Sequence, residues 1–227
     1  RAVQTDAPGG RADVGGIVAS TMKVDLAEFM AGRNVFTRGT STGSVVNEGT
    51  LQAAIDGYVA LLAPEVRNQG VIIAPAGTVV LAAGDRITLQ LSGSKMLDVG
   101  VDPATADTLV SSGQVIQAPD GTVVMTAKAA NALFNSAINV QGVIAANSLV
   151  DHGGVIRLEG ARDITVNASL DVSGQGDGGS IKIAAAADRF VEGRSGLCDL
   201  GLGGRDDEPA RRRHRQWRRR QGGDLGR

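Results

Sequence analysis

Asn47-Glu48-Gly49-Thr50-Leu51-Gln52-Ala53 is answered 21 positions later by Asn68-Gln69-Gly70-Val71-Ile72-Ile73-Ala74. The phrase returns as Ser112-Gly113-Gln114-Val115-Ile116-Gln117-Ala118 and as Gln141-Gly142-Val143-Ile144-Ala145-Ala146. A second phrase, Gly followed by an apolar run, trails behind it: Gly57-Tyr58-Val59-Ala60-Leu61, Gly77-Thr78-Val79-Val80-Leu81, Gly121-Thr122-Val123-Val124-Met125, Gly154-Val155-Ile156-Arg157-Leu158 and Gly179-Ser180-Ile181-Lys182-Ile183. Gly57 to Gly77 is 20 positions, whereas Gly70 to Gly113 is 43 and Gly77 to Gly121 is 44, each read as two periods. Recurrence at such a spacing marks a solenoid, and a repeated unit of strand and turn makes it all-β. A period of about 21 residues gives roughly eight coils, and a spacing of about 4.8 Å between coils gives a rod about 40 Å long.

The composition agrees with that architecture. Aromatic residues are 3% of the chain while 42% of residues are hydrophobic. The core must therefore be built from Val, Ile, Leu and Ala, which suit a flat stack of pleated strands. Strict alternation in Ile87-Thr88-Leu89-Gln90-Leu91 turns Ile87, Leu89 and Leu91 inward, and Val79, Leu81 and Ala83 do the same one segment earlier. Sharp corners call for left-handed backbone, which Gly and then Asn tolerate best. Asn47 and Asn68 stand at equivalent places, so their side chains are expected to form a hydrogen-bonded ladder along the axis. Between the strands, Asp25 to Gly32 reads as a short helix with a capping box from Asp25 and Glu28, an apolar face of Leu26, Phe29 and Met30, and a stop at Gly32. Lys128 to Ile138 is a second candidate helix. Ser92 to Thr108 is polar and irregular and reads as a protruding loop. Arg1 to Gly10 has no usable pattern.

The formal net charge of −1 hides two regimes. Residues 1–188 carry 12 Lys and Arg against 18 Asp and Glu, whereas residues 189–227 carry 11 Arg against 6 acids. The expected division is a β-coil domain over 1–188 and a disordered Arg-rich tail over 189–227. The tail contains Arg211-Arg212-Arg213-His214-Arg215-Gln216-Trp217-Arg218-Arg219-Arg220. Three readings of it stand: text translated out of frame, a solvated tail, or a polyanion- or nucleic-acid-binding segment. The first is favoured, because every basic residue there is Arg and the change comes abruptly in mid-repeat; no nucleic-acid partner is expected.

No catalytic, cofactor or metal constellation is legible. Asp151-His152 reads as a solvated corner rather than a general base. Gly174-Gln175-Gly176-Asp177-Gly178-Gly179 echoes a calcium-binding nonapeptide once, where that mechanism needs stacked copies. Asp85, Asp98, Asp102 and Asp163 read as corner or loop residues. Cys198 is the single cysteine, so no intrachain disulfide forms. No apolar run is long enough for a membrane-spanning helix.

Val14-Gly15-Gly16-Ile17-Val18-Ala19-Ser20-Thr21, Phe29-Met30-Ala31-Gly32-Arg33 and Gly43-Ser44-Val45-Val46-Asn47-Glu48-Gly49 together resemble the secretion segment of filamentous haemagglutinin family exoproteins. Gly57 to Gly70 and Gly77 to Asp85 extend the resemblance, which covers residues 11–188. It implies a right-handed parallel β-helix, exported by two-partner secretion through an outer-membrane β-barrel transporter. The family's Asn-Pro-Asn-Gly motif is absent and Arg1 to Gly10 departs from the pattern, so the chain is expected to be a fragment lacking its N-terminal coils. The implied function is a non-catalytic, secreted, surface-associated adhesin module, with host-cell glycans or proteins as possible ligands. A β-helical polysaccharide-degrading enzyme is the alternative, and polyanion binding through the tail a second.

Overall fold

The computed structural model describes residues 3–4, 10–92, 95–104, 107–128, 136–148, 153–161, 163–174, 178–185 and 190–192. The chain winds as a parallel β-helix of three faces. The first coil holds β1 (Val3–Gln4) and β2 (Arg11–Ser20); an excursion follows with β3 (Lys23–Val24), α1 (Leu26–Met30) and β4 (Asn34–Thr37). The second coil is β5 (Ser44–Asn47) and β6 (Thr50–Leu62), and the third is β7 (Glu65–Asn68), β8 (Val71–Ile73) and β9 (Thr78–Ala83). A second excursion, β10 (Arg86–Ser92) and β11 (Lys95–Asp102), leads to the fourth coil: β12 (Thr108–Ser112), β13 (Val115–Gln117) and β14 (Thr122–Ala127). The fifth coil is β15 (Ser136–Ala145) with β16 (Val155–Gly160), the sixth β17 (Asp163–Asp171) with β18 (Ser180–Ala185), and β19 (Phe190–Glu192) opens a seventh. Because β2, β6, β15 and β17 run round a corner from one face to the next, the three faces form one continuous sheet.

Register is set residue by residue. Leu51 pairs with Ile72, Ile72 with Ile116, and Ile116 with Ile144. Leu61, Leu81, Met125 and Leu158 stack likewise on the third face. All eight are buried in one axial core. Each contributes about 1.5–3 kcal/mol by leaving water, and only because the neighbouring coil covers it.

The direct pairing of Ile72 with Ile116 corrects the reading of the 43- and 44-residue intervals as two periods. They are one coil plus an outward hairpin of nearly a coil's length, so six coils and the start of a seventh replace the expected eight. The segment expected as a loop, Ser92 to Thr108, instead contains β11, paired antiparallel with β10 from Ser92↔Lys95 to Arg86↔Asp102. β10 pairs on its other side with β4, and β4 with β3, giving a four-stranded antiparallel sheet outside the helix.

That sheet covers the third face. Ala60, Leu62, Val80, Ala82 and Val124 point outward from the coils and meet Phe36, Ile87, Leu89, Met96 and Val101 in a second buried cluster. Ile87 and Leu89 are thus buried, and Leu91 packs beside them, but in this outer layer rather than in the axial core. Alternation identifies a buried face without saying which core it joins. The sequence signal for the cover is continuity: Thr78-Val79-Val80-Leu81-Ala82-Ala83 is apolar on both faces, as a strand buried on two sides must be. Beyond the cover, β16 reverts to alternation, with Ile156 and Leu158 buried and Arg157 and Glu159 outward.

The corners also differ from expectation. At the turn before the third face the left-handed residues are Asp56 (φ 62°), Ala76 (φ 51°) and Asp120 (φ 57°), each preceding the glycine rather than being it. Among the described glycines quoted in the repeats, Gly142 alone has positive φ, at 87°. Asn47 and Asn68 are not in left-handed conformation; they point inward and are buried, with Asn47 Nδ2 donating to Asn68 Oδ1 at 2.8 Å. Asn68 Nδ2 donates onward to Ser112 Oγ at 3.3 Å, a rung missed in the sequence because Ser replaces Asn there. Val140, in register with Ser112, ends the ladder. Asn68→Ala is expected to lower the unfolding free energy by about 2–4 kcal/mol, since it leaves polar partners buried and opens a cavity. Exposed Asn139→Ala is the control, expected within about 0.5 kcal/mol. Urea melts giving the two equal effects would contradict the ladder's structural role.

Candidate docking surface

The first excursion inverts the usual burial of a helix. Asp25 caps α1 by accepting a hydrogen bond from the Glu28 backbone N–H at 3.1 Å, as its spacing predicts. The reciprocal half of the box is not made: the Asp25 N–H donates to the Val35 carbonyl, and the Glu28 carboxylate accepts from Arg33 Nε. That hydrogen bond from Arg33 holds the Glu28 carboxyl below its ordinary value. The Glu28–Arg33 closure therefore persists above the normal carboxylate range and is released as pH falls through the lowered pKa. With Glu28 turned toward Arg33, the apolar residues face water: Leu26 is 70%, Phe29 53% and Met30 78% exposed, and Val24 beside them 49%. Gly32, at φ 77°, ends the helix as expected. No residue of α1 is buried. Four large apolar side chains on one protruding element are a docking feature rather than a core.

The excursions are tied to each other and to the coils. Arg38, after β4, donates its backbone N–H to the Asp85 carbonyl at 2.8 Å, and its guanidinium lies 3.7 Å from the Asp85 carboxylate. Lys95 Nζ reaches Asp56 Oδ1 at 3.0 Å, fastening the tip of the second hairpin to a coil corner.

The acidic residues read as corner or loop positions occupy varied places. Asp85 does lie between β9 and β10; Asp98 and Asp102 lie within β11, and Asp163 opens β17. They do not converge, and no group of three His, Cys, Asp or Glu side chains able to hold a metal occurs among the described residues. Of the Gly174 to Gly179 phrase, Gly174 forms a parallel bridge with Ser148, and Gly179 lies against the backbone of Gly154 at a corner. Residues 175–177, Asp151-His152, Cys198 and the Arg-rich tail from 193 onward lie outside the described residues. So does most of the second candidate helix; its last residues, Ser136 to Ile138, open β15. No described helix is long and apolar enough to cross a membrane.

Comparison with known proteins places this architecture. Residues 7–182 match the family model of the TPS secretion domain. The crystal structure of the HMW1 secretion domain from Haemophilus influenzae is similar with a TM-score of 0.66 at 21% sequence identity, over 83% of this chain and 55% of that one. The chain thus spans little more than half of that structure's length. No curated protein matches the sequence.

Proposed function

Because the chain belongs to the TPS secretion domain family, we propose that it is the export-directing part of a large bacterial adhesin-like exoprotein, delivered to the cell exterior by two-partner secretion. Residues 1–188 constitute the secretion module, and residues 189–227 stand apart from it. The partner is an outer-membrane β-barrel transporter. The module is a folding and binding scaffold rather than an enzyme, and the exoprotein is released or held at the cell surface.

The observation that carries this reading is the unbroken parallel stack with its external sheet, within the family match over residues 7–182. A solenoid of this kind has no buried core until the second coil has covered the first. It can cross a membrane unfolded and gain its hydrophobic stabilisation only on the far side. The exposed Leu26, Phe29 and Met30 supply a surface that a transporter can hold while the coils assemble. The direct test is to produce the full-length exoprotein with and without its transporter. Protein in the medium is expected only when the transporter is present; equal amounts in both cultures would overturn the reading.

A further inference from the structure

Where the covering sheet stops, the third face changes character. Arg157 on β16 and Lys182 on β18 are in register on adjacent strands, pointing outward. Like charges side by side on one face of a sheet repel. Glu159 is the compensating carboxylate: its Oε1 accepts from Arg157 Nη2 at 2.9 Å and Nε at 3.3 Å and lies 3.7 Å from Lys182 Nζ. Burial raises the Glu159 pKa, but the Arg157 hydrogen bond and the charges of Arg157, Lys128 and Lys182 outweigh it and leave the group below its ordinary value. Three cations on three successive coils share one acid, a local surplus of positive charge in a module whose 12 basic residues are outnumbered by 18 acids. Lys128 and Lys182 stand at the two ends of an open groove of about 420 Å³, with Pro103, Gly160, Ala161 and Ala184 between them.

We propose that this groove binds an acidic oligosaccharide, its carboxylate or sulfate groups engaging Lys128 and Lys182 and its sugar rings lying on the small residues between. The coil spacing of about 4.8 Å places cations at intervals along the axis that suit charges on successive sugar units. A duplex nucleic acid engages more cations than three, commonly about 6–10 phosphate contacts. A membrane surface needs an apolar anchor beside the cations, and none of the large exposed hydrophobic residues lines the groove. Lysine ammonium groups, as point charges on flexible stems, accept carboxylate and sulfate without demanding one planar geometry.

The test is calorimetric titration of the full chain with a sulfated uronic-acid tetrasaccharide, a neutral tetrasaccharide and anionic phospholipid vesicles. The sulfated sugar is expected to bind with affinity that falls as salt rises, and the neutral sugar not to bind. The Lys128→Ala/Lys182→Ala double variant is expected to bind roughly tenfold more weakly. Glu159→Gln removes the competing carboxylate and is expected to bind severalfold more tightly, a direction that loss of structure would not produce. Circular dichroism of each variant checks the fold. No binding of the sulfated sugar, undiminished binding by the double variant, weaker binding by a folded Glu159→Gln variant, or binding to vesicles alone would overturn the proposal.

Discussion

Gly77→Ala is expected to unfold the stack, while Gly15→Ala leaves it intact. Both glycines occupy the same corner column, and neither has positive φ. They differ in what lies beneath them. A Cβ on Gly77 would stand 2.2 Å from the carbonyl oxygen of Gly57 in the preceding coil; one on Gly15 would meet nothing within 4 Å. The clash is with backbone, which no rotamer change relieves, so the coils must part locally and lose the hydrogen bonds on both sides. The cost is expected to exceed about 4 kcal/mol, against less than about 1 kcal/mol for Gly15→Ala. Gly121 repeats the contact, its Cβ position lying 2.3 Å from the Gly77 oxygen, and is expected to behave like Gly77. Urea denaturation of the three variants measures this, and similar midpoints for Gly77→Ala and Gly15→Ala would show that the coils are not in such close contact.

The second large effect concerns export. Ile72 is fully buried in the axial core between Leu51 and Ile116. An aspartate there places an unpaired charge in a closed apolar column, at a cost of several kcal/mol that approaches the whole stability of a domain. In the full-length exoprotein produced with its transporter, Ile72→Asp is expected to cut the amount secreted severely. Val71→Asp, one residue earlier on the outward, partly exposed side of the same strand, is expected to be exported nearly as the parent. If Ile72→Asp were exported at the parent rate, folding of the coils would not be coupled to translocation. That outcome would leave the need for the transporter itself untouched, since it is measured separately.

These expectations show how far the residues speak for themselves. The paired phrases at Gly49 and Gly70, and at Gly57 and Gly77, define coils because equivalent positions in a stacked solenoid face the same constraint. The Asn47–Asn68 contact follows from that equivalence alone. What misleads is length. The hairpin of β10 and β11 occupies nearly one period, so spacing could not distinguish it from a coil, and its alternation in Ile87, Leu89 and Leu91 looked like an inward strand. The distinguishing signal lay on its partner: Val80, Ala82 and Val124 are apolar at outward positions and require a cover. The corner glycines were rightly singled out for the wrong reason. Their need arises from close approach between coils, a property of the neighbouring rung that a single coil's sequence does not display, while the left-handed conformation falls on Asp56, Ala76 and Asp120. The docking surface was half legible, since the helix and its cap were read from Asp25 and Glu28. The outward turn of Leu26, Phe29 and Met30 was not, because it depends on Arg33 drawing Glu28 to the other side. The cationic groove was hidden by distance, Lys128 and Lys182 being 54 residues apart.

The central claim is that the third and fourth coils lie directly on one another, with the intervening hairpin diverted outside. Ile73 and Gln117 are in register on adjacent strands, both on the outer side of the second face. Adjacent strands lie about 4.8 Å apart, within reach of a disulfide, whereas an intervening coil would separate the same residues by about 9.6 Å, beyond the roughly 7 Å limit. Mild oxidation of an Ile73→Cys/Gln117→Cys variant, with Cys198 replaced by Ser, is expected to give an intramolecular disulfide in nearly quantitative yield, detected by intact mass after alkylation. Two free thiols in the folded protein would contradict the stacking on which the account is built.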